Sequence, residues 1–147
     1  MGNLFSVFDL PSSLAEEEKS TERYRPSYAF DMSAGEFVLD GGGKMQYASG
    51  YDAWVLWCVK TIKTQRWAHL AYRWNIGTEL AEAFALEDRA AQESFLERTV
   101  TEALLADPKG RTVRVYDFEF LWEGDSLSLT CTIFGQKGDT ASVTVKV

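Results

Sequence analysis

The stretch Ser126-Leu127-Ser128-Leu129-Thr130-Cys131-Thr132-Ile133-Phe134, followed by Ala141-Ser142-Val143-Thr144-Val145-Lys146-Val147, decides the fold. Apolar and polar residues alternate from Ser126 to Ile133 and again from Ala141 to Val147. Such period-two patterning marks antiparallel strands with one dry and one wet face. The second run reaches Val147, as expected of a strand at a sheet edge. An open edge can accept a strand from another protein, so the pattern points towards assembly rather than chemistry.

Working outward, Thr112–Trp122 is a third strand. Tyr116, Phe118, Phe120 and Trp122 share one face, and Val113, Val115 and Leu121 the other. A strand apolar on both faces is expected at the centre of the sheet, with helices over its aromatic side. Glu123-Gly124-Asp125 and Gln136–Asp139 are the turns. Before the sheet, a helix starting near Asp88 carries the stripe Phe95, Leu96, Val100, Ala103 and Leu104, and ends at Asp107, ahead of Pro108. Thr78 is expected to cap a short helix Glu79–Phe84, after a turn at Asn75-Ile76-Gly77 and a short strand Arg66–Ala71. Ser49 and Asp52 form a capping pair for a helix over Tyr51–Thr64, whose apolar face is Tyr51, Trp54, Val55, Cys58 and Ile62. Lys60 and Lys63 lie at its negative end. Glu36–Asp40 and Lys44–Ala48 flank Gly41-Gly42-Gly43 as a hairpin. The expected fold class is α+β: an N-terminal β-hairpin, two main amphipathic helices and a C-terminal antiparallel sheet of three strands. Residues 28–147 are expected to form a single domain, preceded by an arm or linker over 1–27. In that arm, Phe5 and Phe8 either fray with the terminus or dock on a partner.

Composition narrows the function classes. Apolar residues make up 46% and aromatics 14%, which fits a folded core. The net charge of −7 argues against a duplex-binding surface. Cys58 and Cys131 sit at core positions and are expected as buried free thiols. No signal peptide or membrane span is visible, and synthesis in a cytoplasm is expected. Met1-Gly2 with Ser6 only brushes a myristoylation pattern.

The chain carries few residues patterned for chemistry. His69 is the only histidine, and its neighbours Ala68, Leu70 and Ala71 are apolar. No His, Cys and Asp spacing suggests a metal, and Gly41–Gly43 before Lys44 lacks the phosphate-loop spacing. Glu82, Glu87, Glu93, Glu97 and Glu102 read as a solvated helix face, with no carboxyl set apart for catalysis. No catalytic residue, cofactor or metal is expected. Trp67, Tyr72, Arg73 and Trp74 are the residue types that anchor interfaces, although Trp67 is placed in the core.

The chain resembles the XkdS-like phage tail proteins, of the tail-lysozyme-like baseplate wedge group of contractile tails. The likeness is carried by Phe37–Gly41, Gly50–Trp54 with Trp57-Cys58, Thr64–Trp67, Gly77–Leu80, Glu102–Pro108 and Phe118–Leu127. It implies a noncatalytic baseplate wedge subunit whose sheet templates the first sheath ring by strand exchange. Its implied partners are a larger, baseplate J-like wedge protein, the tail sheath protein, and tail hub or tube proteins. Nucleic acid and membranes are not among them. The sheath strand is assigned to Ser142, Val143, Thr144, Val145, Lys146 and Val147. The wedge partner is assigned to Arg73, Trp74 and Asp107-Pro108-Lys109, the last standing where the family often has Glu-Pro-Arg. The alternative reading is a tail-associated cell-wall hydrolase. Phage tails, bacteriocins and related injection machines remain open as the setting.

Overall fold

The structure, a computed structural model, describes residues 26–71, 73 and 75–147. Helix α1, Gly50–Lys63, begins where the sequence signals it. The Ser49 hydroxyl accepts from the Asp52 N–H at 3.2 Å and donates to the Asp52 carboxylate at 2.8 Å. Lys60 and Lys63 occupy its last turn. Its buried face is Ala53, Trp54, Cys58, Thr61 and Ile62. Tyr51, expected on that face, is instead 40% exposed. Helix α2 is Leu80–Phe84, and α3 is Arg89–Leu105 with Asp88 capping the Ala91 N–H at 3.0 Å.

Three strands follow: β5 Thr112–Glu123, β6 Ser126–Gly135 and β7 Thr140–Lys146. They form an antiparallel meander in the order β5-β6-β7. The alternation decides the layering. Leu127, Leu129, Cys131 and Ile133 of β6, and Ala141, Val143 and Val145 of β7, are buried against the helices. Burying each large aliphatic side chain in that row contributes roughly 1.5–3 kcal/mol. Helix α3 lies against β5 and α1 against β7, and the two helices touch. The result is a two-layer α+β arrangement with one core.

The expected centre of the sheet is corrected: β6, not β5, is the middle strand. Tight turns at Gly124 and Gly138 fold the three strands back in sequence order, which puts β6 between the others, and β5 carries two register irregularities, between Thr112 and Arg114 and between Tyr116 and Glu119. At the second, Asp117 takes φ 53° and adds a residue that β6 does not match. Tyr116 therefore pairs with Thr132 on the wet face, while Phe120 and Trp122 pair with Leu129 and Leu127 on the dry one. The four aromatics do not share a face. Val115 is buried, whereas Val113 and Leu121 are 51% and 61% exposed.

Two further expectations fail. Arg66–Ala71 is not a strand: only Gln65 makes a bridge, parallel to Thr78. Thr78 does not cap α2. It is fully buried, and its hydroxyl donates to the Ile62 carbonyl at 2.7 Å, pinning the end of α1.

At the N-terminal side the hairpin around Gly41–Gly43 forms, with the Asp40 carboxylate accepting from the Gly42 and Lys44 N–H groups. Its short strands are joined by Ser27–Asp31: β1 (Ser27–Tyr28) pairs with β4 (Tyr47–Ala48), and β2 (Phe30–Asp31) with β3 (Glu36–Phe37). The junction closes on itself. Ala29 N–H donates to Gln46 C=O, Gln46 N–H to Val38 C=O, and Val38 N–H to Ala29 C=O.

Candidate functional site

The free edge of β7 has a defined chemistry. Leu127 and Val147 exchange both backbone hydrogen bonds, at 3.0 and 2.9 Å. Antiparallel pairs alternate between bonded and non-bonded types. Val145, Val143 and Ala141 therefore spend their N–H and C=O groups on β6, in register with Leu129, Cys131 and Ile133. The N–H and C=O groups of Ser142, Thr144 and Lys146 point to the other side, where no backbone partner stands among the described residues. The same period leaves the three side chains exposed on the wet face. At the start of the row, the Thr140 carbonyl accepts from the Tyr51 hydroxyl at 3.0 Å, so α1 covers that end. Thr144 and Thr130 meet hydroxyl to hydroxyl at 3.0 Å across β6 and β7, which steadies the edge from the wet face. The opposite edge, along β5, is interrupted by its two bulges, a common guard against strand addition. Of the two edges, β7 is the regular one.

The Asp107-Pro108-Lys109 turn divides into buried and exposed parts. Pro108 and Lys109 are exposed. Asp107 is buried, and its carboxylate accepts from the backbone N–H groups of Lys109 and Arg111 and from the Arg111 guanidinium at 2.6 and 3.2 Å. The arginine that answers the acid is therefore Arg111, which the sequence reading missed; the Asp–Arg spacing of four was the available signal. Arg111 also lies over the Trp57 ring at 5.3 Å. Next to it, Trp54 Nε1–H donates to the Thr112 hydroxyl at 3.0 Å, locking α1 to the start of β5.

Trp67 corrects another expectation. It is 64% exposed with φ 62°, not a core residue. Arg73 is exposed as well. Tyr72, Trp74, Phe5 and Phe8 lie outside the described residues. The exposed candidate residues thus belong to three segments of the chain: the β7 edge, Pro108 with Lys109, and Trp67 with Arg73.

Cys58 and Cys131 are free and buried. Burial pushes the Cys58 thiol up to about 12, against a hydrogen bond from Thr112 and the nearby Arg111 charge, and pushes Cys131 up to about 11. Both are protonated at neutral pH and poor nucleophiles. Among the described residues no group of three His, Cys, Asp or Glu side chains converges on a metal-sized site, and no helix is long and apolar enough to cross a membrane.

No curated protein matches this chain. Among protein families, residues 26–138 match the one described as contractile injection system sheath initiator, a span that stops just before β7. That span holds the N-terminal junction, the three helices of the described residues and the β5-β6 pair, well over half of the chain. The matched residues build most of the three-stranded sheet and the helices that cover it, and the chain belongs to the contractile injection system sheath initiator family.

Proposed function

We propose that this protein is a wedge subunit of the inner baseplate and starts the sheath by lending the β7 edge to an incoming sheath strand. The observation that carries the reading is the row Ser142, Thr144 and Lys146, whose outward N–H and C=O groups form an unbroken ladder. An added strand pairs with those groups, each hydrogen bond contributing about 0.5–1.5 kcal/mol net. The register follows from the pleat. Side chains of the added strand that continue the row of Ala141, Val143 and Val145 face the helix layer and should be small or apolar, and those between them should be polar. The bulges of β5 make the process one-sided. The larger wedge protein then meets the surfaces that the added strand leaves free, with Pro108 and Lys109 at one of them.

The test is sheath assembly on particles that carry Thr144→Pro. Proline removes an outward N–H and blocks strand addition while sparing the ladder to β6. Loss of sheath, with folded protein still in the particle, is the expected result. Sheath of normal length on such particles would sink the proposal. Deleting 141–147 is a poorer test, because it also removes the buried Ala141, Val143 and Val145.

A further inference from the structure

The row of side chains along β7 repeats too evenly to choose a partner's register. Ala141, Val143 and Val145 are small aliphatic residues buried on the helix side, and Ser142, Thr144 and Lys146 are all exposed on the other. A slip of one residue turns every side chain of an added strand to the wrong face, so the pleat forbids it. A slip of two residues restores the alternation and sets equivalent side chains against the same row. The pleat by itself therefore leaves open registers that lie two residues apart.

One end of the row is closed by a side chain. Thr140 stands opposite Phe134 with the parity of Ser142 and Thr144, so its backbone groups point outward as theirs do. Its carbonyl is taken: the Tyr51 hydroxyl donates to it at 3.0 Å, from the place where the N–H of an added strand would stand. The ring that carries this hydroxyl is held from behind. It meets the Trp54 ring edge-on at 6.0 Å, and Trp54 is fully buried, with its indole N–H on the Thr112 hydroxyl. Tyr51 lies in the first turn of α1, which the Ser49–Asp52 pair caps and which packs on β7. Trp54 and Cys58 on the same helix are fully buried, whereas Tyr51 remains 40% exposed. Packing within the chain thus leaves part of this ring unused, at the end of the strand edge.

We infer that Tyr51 is the register stop of the β7 edge, the residue that selects one pairing of an added strand out of the series. The inference rests on the β7 reading and deepens it. Without the stop, a strand as long as Ser142–Lys146 makes equally many bonded pairs in two registers: with Ser142, Thr144 and Lys146, or with Thr140, Ser142 and Thr144. With the stop, the second register meets the Tyr51 ring and finds the Thr140 carbonyl occupied, and only the first is complete. The partner that fits is a short alternating strand whose chain turns out of the sheet at the residue that meets Tyr51.

The test uses the full chain, as wild type, Tyr51→Ala and Tyr51→Leu, with unchanged thermal unfolding to verify the fold. Leucine keeps apolar cover on Trp54 but is too short to reach Thr140, so it serves where alanine unfolds the helix start. The probe is a synthetic peptide of alternating valine and threonine, as long as Ser142–Lys146. Its own sequence prefers no register, so any preference comes from the protein. Hydrogen exchange of single amides is read by NMR with and without saturating peptide. In the wild type the peptide should slow exchange at Ser142, Thr144 and Lys146 and leave Thr140 unchanged. In the folded variants Thr140 should gain protection, and the protection of Lys146 should fall by roughly half as two registers share the edge. Protection of Thr140 in the wild type, or an unchanged pattern in a folded variant, overturns the register stop and leaves the β7 reading standing. No protection at Ser142, Thr144 or Lys146 in any of the three proteins overturns the β7 reading and the stop with it.

Discussion

The guanidinium of Arg111 grips the Asp107 carboxylate through Nε at 2.6 Å and Nη2 at 3.2 Å, with both side chains almost wholly buried. The pair closes the turn that joins α3 to β5, and the same carboxylate also holds the Lys109 and Arg111 N–H groups. Removing one partner strands a buried charge, which costs about 3–5 kcal/mol. Arg111→Ala should lower stability by that amount in urea unfolding. Arg111→Lys keeps the charge but not the two-pronged fit, and should fall between it and the wild type. A loss under about 1 kcal/mol for Arg111→Ala would show that the pair is not needed to hold the turn.

Asp117 sits at φ 53° in the bulge of β5. Aspartate tolerates the left-handed region, and a β-branched residue does not. Asp117→Val should cost about 1–2 kcal/mol in thermal or denaturant unfolding, and Asp117→Gly should be close to neutral. Deleting Asp117 is more telling. Tyr116 against Thr132 and Glu119 against Thr130 then fall into one continuous register, and β5 becomes a second regular edge from Arg114 to Glu123. That variant should self-associate with rising concentration in sedimentation, whereas the parent should not.

Much of this fold was legible in residues whose pattern is local. The alternation of Ser126–Phe134 and Ala141–Val147 located β6 and β7, and Ser49 and Asp88 located both long helices, because pleat and capping need only near neighbours. The errors came where one residue changes the period. Asp117 inserts a step that reverses the faces of β5, so aromatics at alternate positions in the sequence do not share a face in the strand, and the tight turns on either side of β6 leave β5 at an edge. Thr78 looked like a cap and is a buried strut to Ile62, a contact across sixteen positions that no local rule reveals. The β7 edge was legible as a strand. Which of its backbone groups are free became clear only from the Leu127–Val147 exchange.

The two buried thiols make stability depend on alkaline pH. Their folded values, about 12 for Cys58 and about 11 for Cys131, lie above the ordinary value of 9.0. The folded state thus keeps protons that the unfolded state releases. The contribution is complete below pH 9.0 and is lost as pH rises towards 11 and 12. Each thiol adds at most about 1.4 kcal/mol of loss per pH unit in that window. Melting temperature should therefore fall more steeply above pH 9.0 than in Cys58→Ala, compared by slope rather than absolute value. An identical slope in the variant would show that Cys58 does not stay protonated in the fold.

Gly77 holds the neck of the Gln65–Thr78 loop. At φ 97° an added Cβ would stand 2.5 Å from the Thr64 carbonyl oxygen. Gly77→Ala combines that clash with backbone strain of about 1–3 kcal/mol. Hydrogen exchange should show the loss at the Arg66 and Thr78 amides, which bridge the neck, before it appears in β6.

A matched pair of prolines separates the edge of β7 from its place in the core. Val143 is 1% exposed and lies opposite Cys131 as a bonded pair, so Val143→Pro deletes a ladder bond and leaves a carbonyl of β6 unpaired. An unpaired buried acceptor costs about 1–3 kcal/mol, to which the poorly fitting ring adds. Thr144 is one residue away, but its N–H points out of the sheet. Thr144→Pro loses a single exposed hydroxyl contact with Thr130, and Thr144→Val controls for that loss while keeping the N–H. Urea unfolding should rank Val143→Pro far below the other two, which should stay near the wild type. Binding of a sheath-strand peptide should then be retained by Thr144→Val and abolished by Thr144→Pro. If Thr144→Pro binds as well as Thr144→Val, the strand is not added at this edge, whatever the stability of the sheet.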